Sequence, residues 1–477
     1  MTGVAGLPWA CRTARAQQTL ARGLVASLLS ALSLAACSVP EDRPAEGTEN
    51  TAVPLPPMRV FGEIRAEPPS RANADMVRDF LDLSFALESG RALPVLSRFE
   101  RPITIRMSGP VPPTAPRDLK RLVSRLRSEA GLQVSLGDIP GAEITVEFIP
   151  SRNLRRAVPY AACFVVPNVS SWAEYRRAPR ARVDWANVTL RERAAVFIPS
   201  DAAPQEIRDC LNEELAQAIG PLNDLYRLPD SVFNDDNMHT VLTGFDMLML
   251  RAYYAPELRS GMTREEAARR LPAVLDRLNP RGRAVPPRPV APTPRAYVDA
   301  IQRALGPGSS PAQRRRAAAE AVAIAARSGW RDGRAAFAWL SYGRVVLDKD
   351  PETAFTAFLQ SARIARADPL LELHAAHAEL QLALFALANG DPRTSLALTE
   401  RAIPPATRDQ NAALLANLLM VRAEALEELG RVNEARAARL DSLGWARYGF
   451  GAQVEIAARL VQRPNADPTA ATDRAGP

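Results

Sequence analysis

The chain has 477 residues, 47% hydrophobic and 24% charged, which suits roughly two or three globular domains whose cores need no metal or disulfide for basic stability. The net charge is +7, but Lys120 and Lys349 are the only lysines, and the arginines are interleaved with acids along the chain. That pattern describes a solvated surface and excludes a dedicated basic face, so no nucleic-acid partner is expected.

Arg12, Arg15 and Arg22 precede an apolar run from Leu24 to Leu34. The run is too short to span a bilayer comfortably and ends in small residues, as a signal peptide does. It closes on Leu34-Ala35-Ala36-Cys37, which resembles the lipobox of bacterial lipoproteins. The resemblance implies removal of residues 1–36 and lipidation of Cys37, with several acyl chains holding the protein on an envelope membrane, facing the periplasm. Ser38, where the familiar sorting rule would place Asp for inner-membrane retention, points to the outer membrane. Residues 37–73 are rich in Pro, Glu, Ala and Thr without apolar periodicity, and read as a disordered, lipid-anchored tether.

An α/β domain is expected over 74–279. Apolar spacing predicts helices over Asp75–Glu88, Arg117–Ala130 and Pro204–Ile219, the last capped by Ser200 or Asp201 and stopped by Gly220. Strands are predicted at Ile103–Met107, Ile144–Ile149 and Ala194–Ile198. Thr243 and Asp246 form a capping box that opens a further helix to Tyr253 and Tyr254. In a mature chain outside the cytosol, Cys163 and Cys210 are expected to pair; a thiolate metal site is the alternative, though no convincing His partners accompany it. Six prolines between Asn279 and Pro294 mark a linker at 280–295. Residues 296–465 read as an all-α helical-repeat domain, with turn signals at Asp350-Pro351, Asp391-Pro392 and Gly430-Arg431 spaced roughly 40 residues apart. This resembles tetratricopeptide-type repeats, and implies a concave protein-binding surface. Residues 466–477 read as a disordered tail.

The stretch Cys210 to Asp224 carries the most chemistry. Zincin peptidases place His-Glu-x-x-His on one helix face, and metzincins add Gly-x-x-His to return a third ligand to the metal. This sequence resembles that plan with the ligands exchanged. Glu213 stands at the first ligand position and Glu214 at the general base. Gln217 stands at the second ligand, Gly220 at the helix stop and Asn223 at the third. Ser231-Val232-Phe233 takes the place of a Met-containing turn. The wider signature runs from Cys210 through Asn223-Asp224, Phe233-Asn234-Asp235, Leu242-Thr243, Asp246 and Gly261-Met262. It is similar to an uncharacterised proteobacterial lipoprotein family, domain of unknown function 2927, from Phe80 to about Pro280. The fold class so implied is an α+β zincin-like domain followed by tetratricopeptide-like helical repeats.

Glu213, Gln217 and Asn223 offer only oxygen donors, a poor set for zinc and a weak one for a hard cation such as calcium, so no metal or cofactor is expected. Adjacent Glu213 and Glu214 point about 100° apart on a helix and cannot face one another across a bond. Glu214 is expected to hydrogen-bond the turn near Ser231, and Asn223, Asp224, Asp235 and Asp236 to serve turns. A cleft that grips an extended peptide by strand addition is the sharper reading. His374 and His377 are expected to be ordinary helix residues, with His239 alone in a loop; Trp172 and Tyr175 beside Arg176 and Arg177 offer an aromatic-basic contact patch, against the commoner case of isolated surface aromatics. The expected function is a non-catalytic envelope lipoprotein that binds envelope proteins or peptides through its repeats. The alternative is a metal-dependent peptidase using Glu214 as base with non-histidine ligands.

Overall fold

A computed structural model describes residues 55–451, apart from 65 and 160. The signal peptide, Cys37, the first part of the tether and the 466–477 tail lie outside the described residues. Five strands form one sheet: β1 (Ile103–Ser108), β2 (Val134–Leu136), β3 (Ile144–Ile149), β4 (Phe164–Pro167) and β5 (Ala194–Pro199). Their order is β2-β1-β3-β5-β4, parallel throughout except for β4, which runs antiparallel to β5 at the edge. The Val- and Ile-rich β3 and β5 occupy the interior, and β5 is buried along its whole length, as a strand covered on both faces must be.

The helices of this unit are α1 (Asn73–Ser84), α2 (Ala115–Ser128), α3 (Ser151–Ala157), α4 (Trp172–Arg177), α5 (Pro204–Ile219), α6 (Gly244–Tyr253) and α7 (Arg264–Leu278). Helix α5 has the bounds its periodicity predicts, and Thr243 and Asp246 form the expected capping box on α6. The capping of α5 differs: the Glu206 carboxylate accepts the Ala203 N–H at 3.2 Å, while Asp201 accepts the Ser151 N–H at 2.8 Å and so caps α3 instead. Cys163, just before β4, is disulfide-bonded to Cys210 on α5.

Eight helices follow: α8 (Arg295–Leu305), α9 (Pro311–Arg327), α10 (Gly333–Val346), α11 (Pro351–Ala365), α12 (Glu372–Ala388), α13 (Pro392–Arg408), α14 (Ala412–Glu428) and α15 (Val432–Phe450). Each packs on the next as an array of antiparallel hairpins. Helices α11, α13 and α15 begin at the predicted turn signals. Asp350 and Asp391 accept the N–H groups of Thr353 and Thr394 at 3.0 Å each. Helices α10 and α11 approach so closely that a Cβ on Gly343 would stand 2.5 Å from the Phe358 ring.

The two units are joined by buried polar contacts. Tyr448 Oη donates to Asp118 at 2.8 Å, Arg208 donates to the Gln410 carbonyl at 2.6 Å, and the Ala413 N–H donates to Gln205 at 2.9 Å. The expected tether is corrected over its described part. Phe61 is buried against Trp445 with ring centroids 4.2 Å apart, and its carbonyl accepts from Arg121 at 2.6 Å. The Arg59 N–H donates to Gly444 at 2.9 Å. This segment is a strap across α2 and α15, and its order depends on those distant surfaces rather than on its own composition.

Candidate functional site

Glu213 and Gln217 lie one turn apart on α5 and share a face, as i, i+4 spacing requires. The helix ends at Gly220, where a Cβ would stand 2.6 Å from Leu250, so the chain leaves α5 tight against α6. The next segment returns Asp224, not Asn223, to that face: Gln217 Nε2 lies 3.5 Å from Asp224 Oδ2. Asn223 turns away and donates to the Asp82 carbonyl at 2.9 Å, tying this turn to α1. Asn223, expected at the third position of the set, is thus replaced on this face by Asp224.

Two further loops bring Glu88 and Asp235 to the same place. Glu88, Asp224 and Asp235 each present a carboxylate oxygen within 4.8 Å of the others, and all three are partly exposed. Burial and mutual repulsion raise the group. Burial chiefly lifts Glu88, against its hydrogen bonds to Asp224 and Gln217. Burial, then Glu88, lifts Asp224 and Asp235 well above the usual range. Glu213 is pushed up to about 8 by burial and by Glu88, Asp235 and Asp209. Gathering these carboxylates in one place therefore disfavours their charged forms.

Glu214 points elsewhere. It is 6% exposed and accepts the N–H of Val165 on β4, not a group of the Ser231 turn; burial raises it well above the carboxylate range. This has a consequence for the sheet edge. Val165 lies opposite Val196, and Asn168 directs its N–H inward to Arg193 at 2.9 Å, so Val165 and Pro167 face outward. Pro167 has no N–H and that of Val165 is occupied, so this edge offers an extended peptide no free donor between residues 164 and 167. The Ser231 turn is instead held by Asp246, which accepts from Ser231 Oγ at 2.5 Å and from the Val232 N–H at 3.1 Å. Phe233 fills the core beneath it.

Residues 73–273 match the family model described as protein of unknown function (DUF2927). No curated protein matches the chain. The DUF2927 region thus contains Glu88, Glu213, Glu214, Gln217, Asp224 and Asp235, and none of the helical array.

Arg191 of the DUF2927 region was not singled out by the sequence, because nothing in the local pattern distinguishes it from other arginines. It is 3% exposed and donates to the carbonyls of Gln217 and Ala218 at 2.8 Å and of Gly220 at 2.6 Å, closing the end of α5. Trp172 and Tyr175 pack with Phe164 and Phe197 rather than forming a surface patch.

The histidines are also more than ordinary helix residues. Buried His374 lies 2.7 Å from Asp236 of the DUF2927 region, linking α12 to the loop that carries Asp235. His377 is buried beside Arg344, and burial, then Arg344, His374 and His239, holds it well below 6.5. A histidine kept neutral in the fold but free to protonate when unfolded contributes stability above its unfolded pKa, and this is lost as pH falls below it. His377→Gln is therefore expected to remove about 2 kcal/mol of the difference in unfolding free energy between pH 7.5 and pH 5. Parallel denaturation curves of parent and variant check this, and superimposable pH dependences would refute it.

Proposed function

We propose that the chain is a lipid-anchored envelope scaffold, in which a catalytically degenerate, metallopeptidase-like DUF2927 region is joined to a helical array that binds envelope proteins or peptides. The observation that carries the reading is the placement of Glu214. A general base must reach the proton it removes, directly or through one water. Glu214 is buried and bonded to the backbone of β4, on a different face of α5 from Glu213 and Gln217. The site's donors are carboxylates and an amide, which suit neither a catalytic zinc nor the polarisation of its water. The helical array, with its hairpins stacked in sequence, supplies the extended surface on which such proteins bind partners. No described helix is long and apolar enough to cross a membrane; in this reading attachment is through the acyl chains on Cys37.

Two measurements test this. The full chain, incubated with an unstructured peptide mixture and added divalent metals, is expected to produce no new peptide termini; cleavage abolished by Glu214→Gln would restore the hydrolase reading. Cys37→Ala is expected to move the protein from the membrane fraction to the soluble fraction of the envelope. Retention of this variant on the membrane would remove the lipid anchor from the reading.

A further inference from the structure

The cluster of Glu88, Asp224 and Asp235 has the dimensions of an ion site. Two oxygen donors on one calcium ion, each at about 2.4 Å, stand at most about 5 Å apart. The three carboxylate oxygens fall within 4.8 Å of one another. They come from three separate segments: the chain after α1, the return after α5, and the loop between Phe233 and Thr240. The cation whose field reaches Asp235 is Arg295, which is exposed and bonded to Asp299 at 2.8 Å. Among the described residues, none of the three carboxylates is paired with a buried cation.

A second observation points into the same place. Tyr226 is 4% exposed, its ring fixed edge-on against Tyr297 at 5.5 Å, and its hydroxyl is buried without a hydrogen-bond partner. Besides its burial, the groups acting on that hydroxyl are Asp235, Tyr297, Asp236 and Asp224, in that order. Asp224 Oδ1 is likewise buried and unpartnered. Leaving a buried polar atom unpaired is costly, and an ion with its bound water would satisfy both groups.

We infer that Glu88, Asp224 and Asp235 bind a hard divalent cation, calcium or magnesium, where the helical array meets the DUF2927 region. The all-oxygen donor set selects against zinc and copper, and partial exposure leaves the ion a route in. The sequence led to an expectation of no metal or cofactor, and this inference departs from it. Because Asp236 pairs with His374, ordering the loop at Asp235 also braces the junction between the units. The inference goes beyond the scaffold reading and stands without it.

The test uses the full chain, dialysed against chelator and then titrated separately with calcium, magnesium and zinc, reading binding stoichiometry by calorimetry and the melting temperature. One calcium or magnesium per chain is expected, with a rise in Tm of about 5 °C at a hundredfold excess over Kd. Asp224→Asn and Asp235→Asn are each expected to weaken binding at least about tenfold and to abolish that rise. Without metal, both variants should melt at or above the parent's temperature, because a neutral amide relieves the repulsion, which separates lost binding from misfolding. Absence of binding by calcium and magnesium, binding of zinc alone, or binding unchanged in both variants would overturn the inference. None of these outcomes bears on Glu214-dependent cleavage.

Discussion

Replacing Arg191 with methionine is expected to destabilise the protein by about 3–5 kcal/mol, a fall in Tm on the order of 10 °C. The guanidinium is one of the few cations sealed in the interior, and its role follows from the end of α5. The last carbonyls of a helix have no partners within it and carry the negative end of the macrodipole. Here the carbonyls of Gln217, Ala218 and Gly220 converge on one fork of donors, at 2.8, 2.8 and 2.6 Å. Trp185 lies under the same group, 4.8 Å from its centre. Methionine keeps much of the volume but leaves three buried acceptors unpaired. Arg191→Lys restores the charge without the planar fork and should recover only part of the loss. Chemical denaturation of both variants decides the matter; a loss below about 1 kcal/mol in the methionine variant would mean that water replaces the fork. The same residue fixes the exit of α5, so the variant should also displace Asp224.

What the sequence made legible follows physical lines. Helix α5 was readable at both ends, because its apolar face, Pro204 and Gly220 all agree. The α11 and α13 starts were readable from Asp-Pro signals, since capping by Asp350 and Asp391 is a local matter, and the α15 start from the turn signal at Gly430-Arg431. Strands β2 and β4 were not, because three or four residues cannot display alternation. Within the site, the i, i+4 pair Glu213 and Gln217 was visible as helix spacing. Glu88 and Asp235 were not, since they reach the cluster through loops whose course depends on tertiary packing. The exchange of Asn223 for Asp224 has a similar cause: the turn after Gly220 is set by the bond from Asn223 to Asp82 on α1, and no local pattern reports that bond. The partnership of His374 with Asp236 joins two units separated by the Pro-rich segment, beyond the reach of any spacing argument.

Removing the disulfide by Cys163→Ala with Cys210→Ala is expected to cost about 4 kcal/mol in the chain-entropy picture, because the bond closes a loop across 47 residues of sequence. The loop contains β4, α4 and β5, so its loss releases the antiparallel edge of the sheet from α5. Glu214 lies one turn beyond Cys210 on that helix and bonds Val165, two residues beyond Cys163. The covalent bond and the hydrogen bond therefore hold the same strand to the same helix. Their effects should not add. Once the disulfide is gone, β4 can shift to relieve a substituted Glu214, so Glu214→Gln should cost less in the Cys-free background than in the parent. A coupling of about 0.5–3 kcal/mol in a double-mutant cycle is the expected result. Additivity within about 0.5 kcal/mol would show that Val165 stays in place without the disulfide, and that Glu214 secures the strand independently. The cycle also bears on function: a Glu214 whose substitution is felt mainly through β4 acts on the sheet edge, as the scaffold reading requires of it.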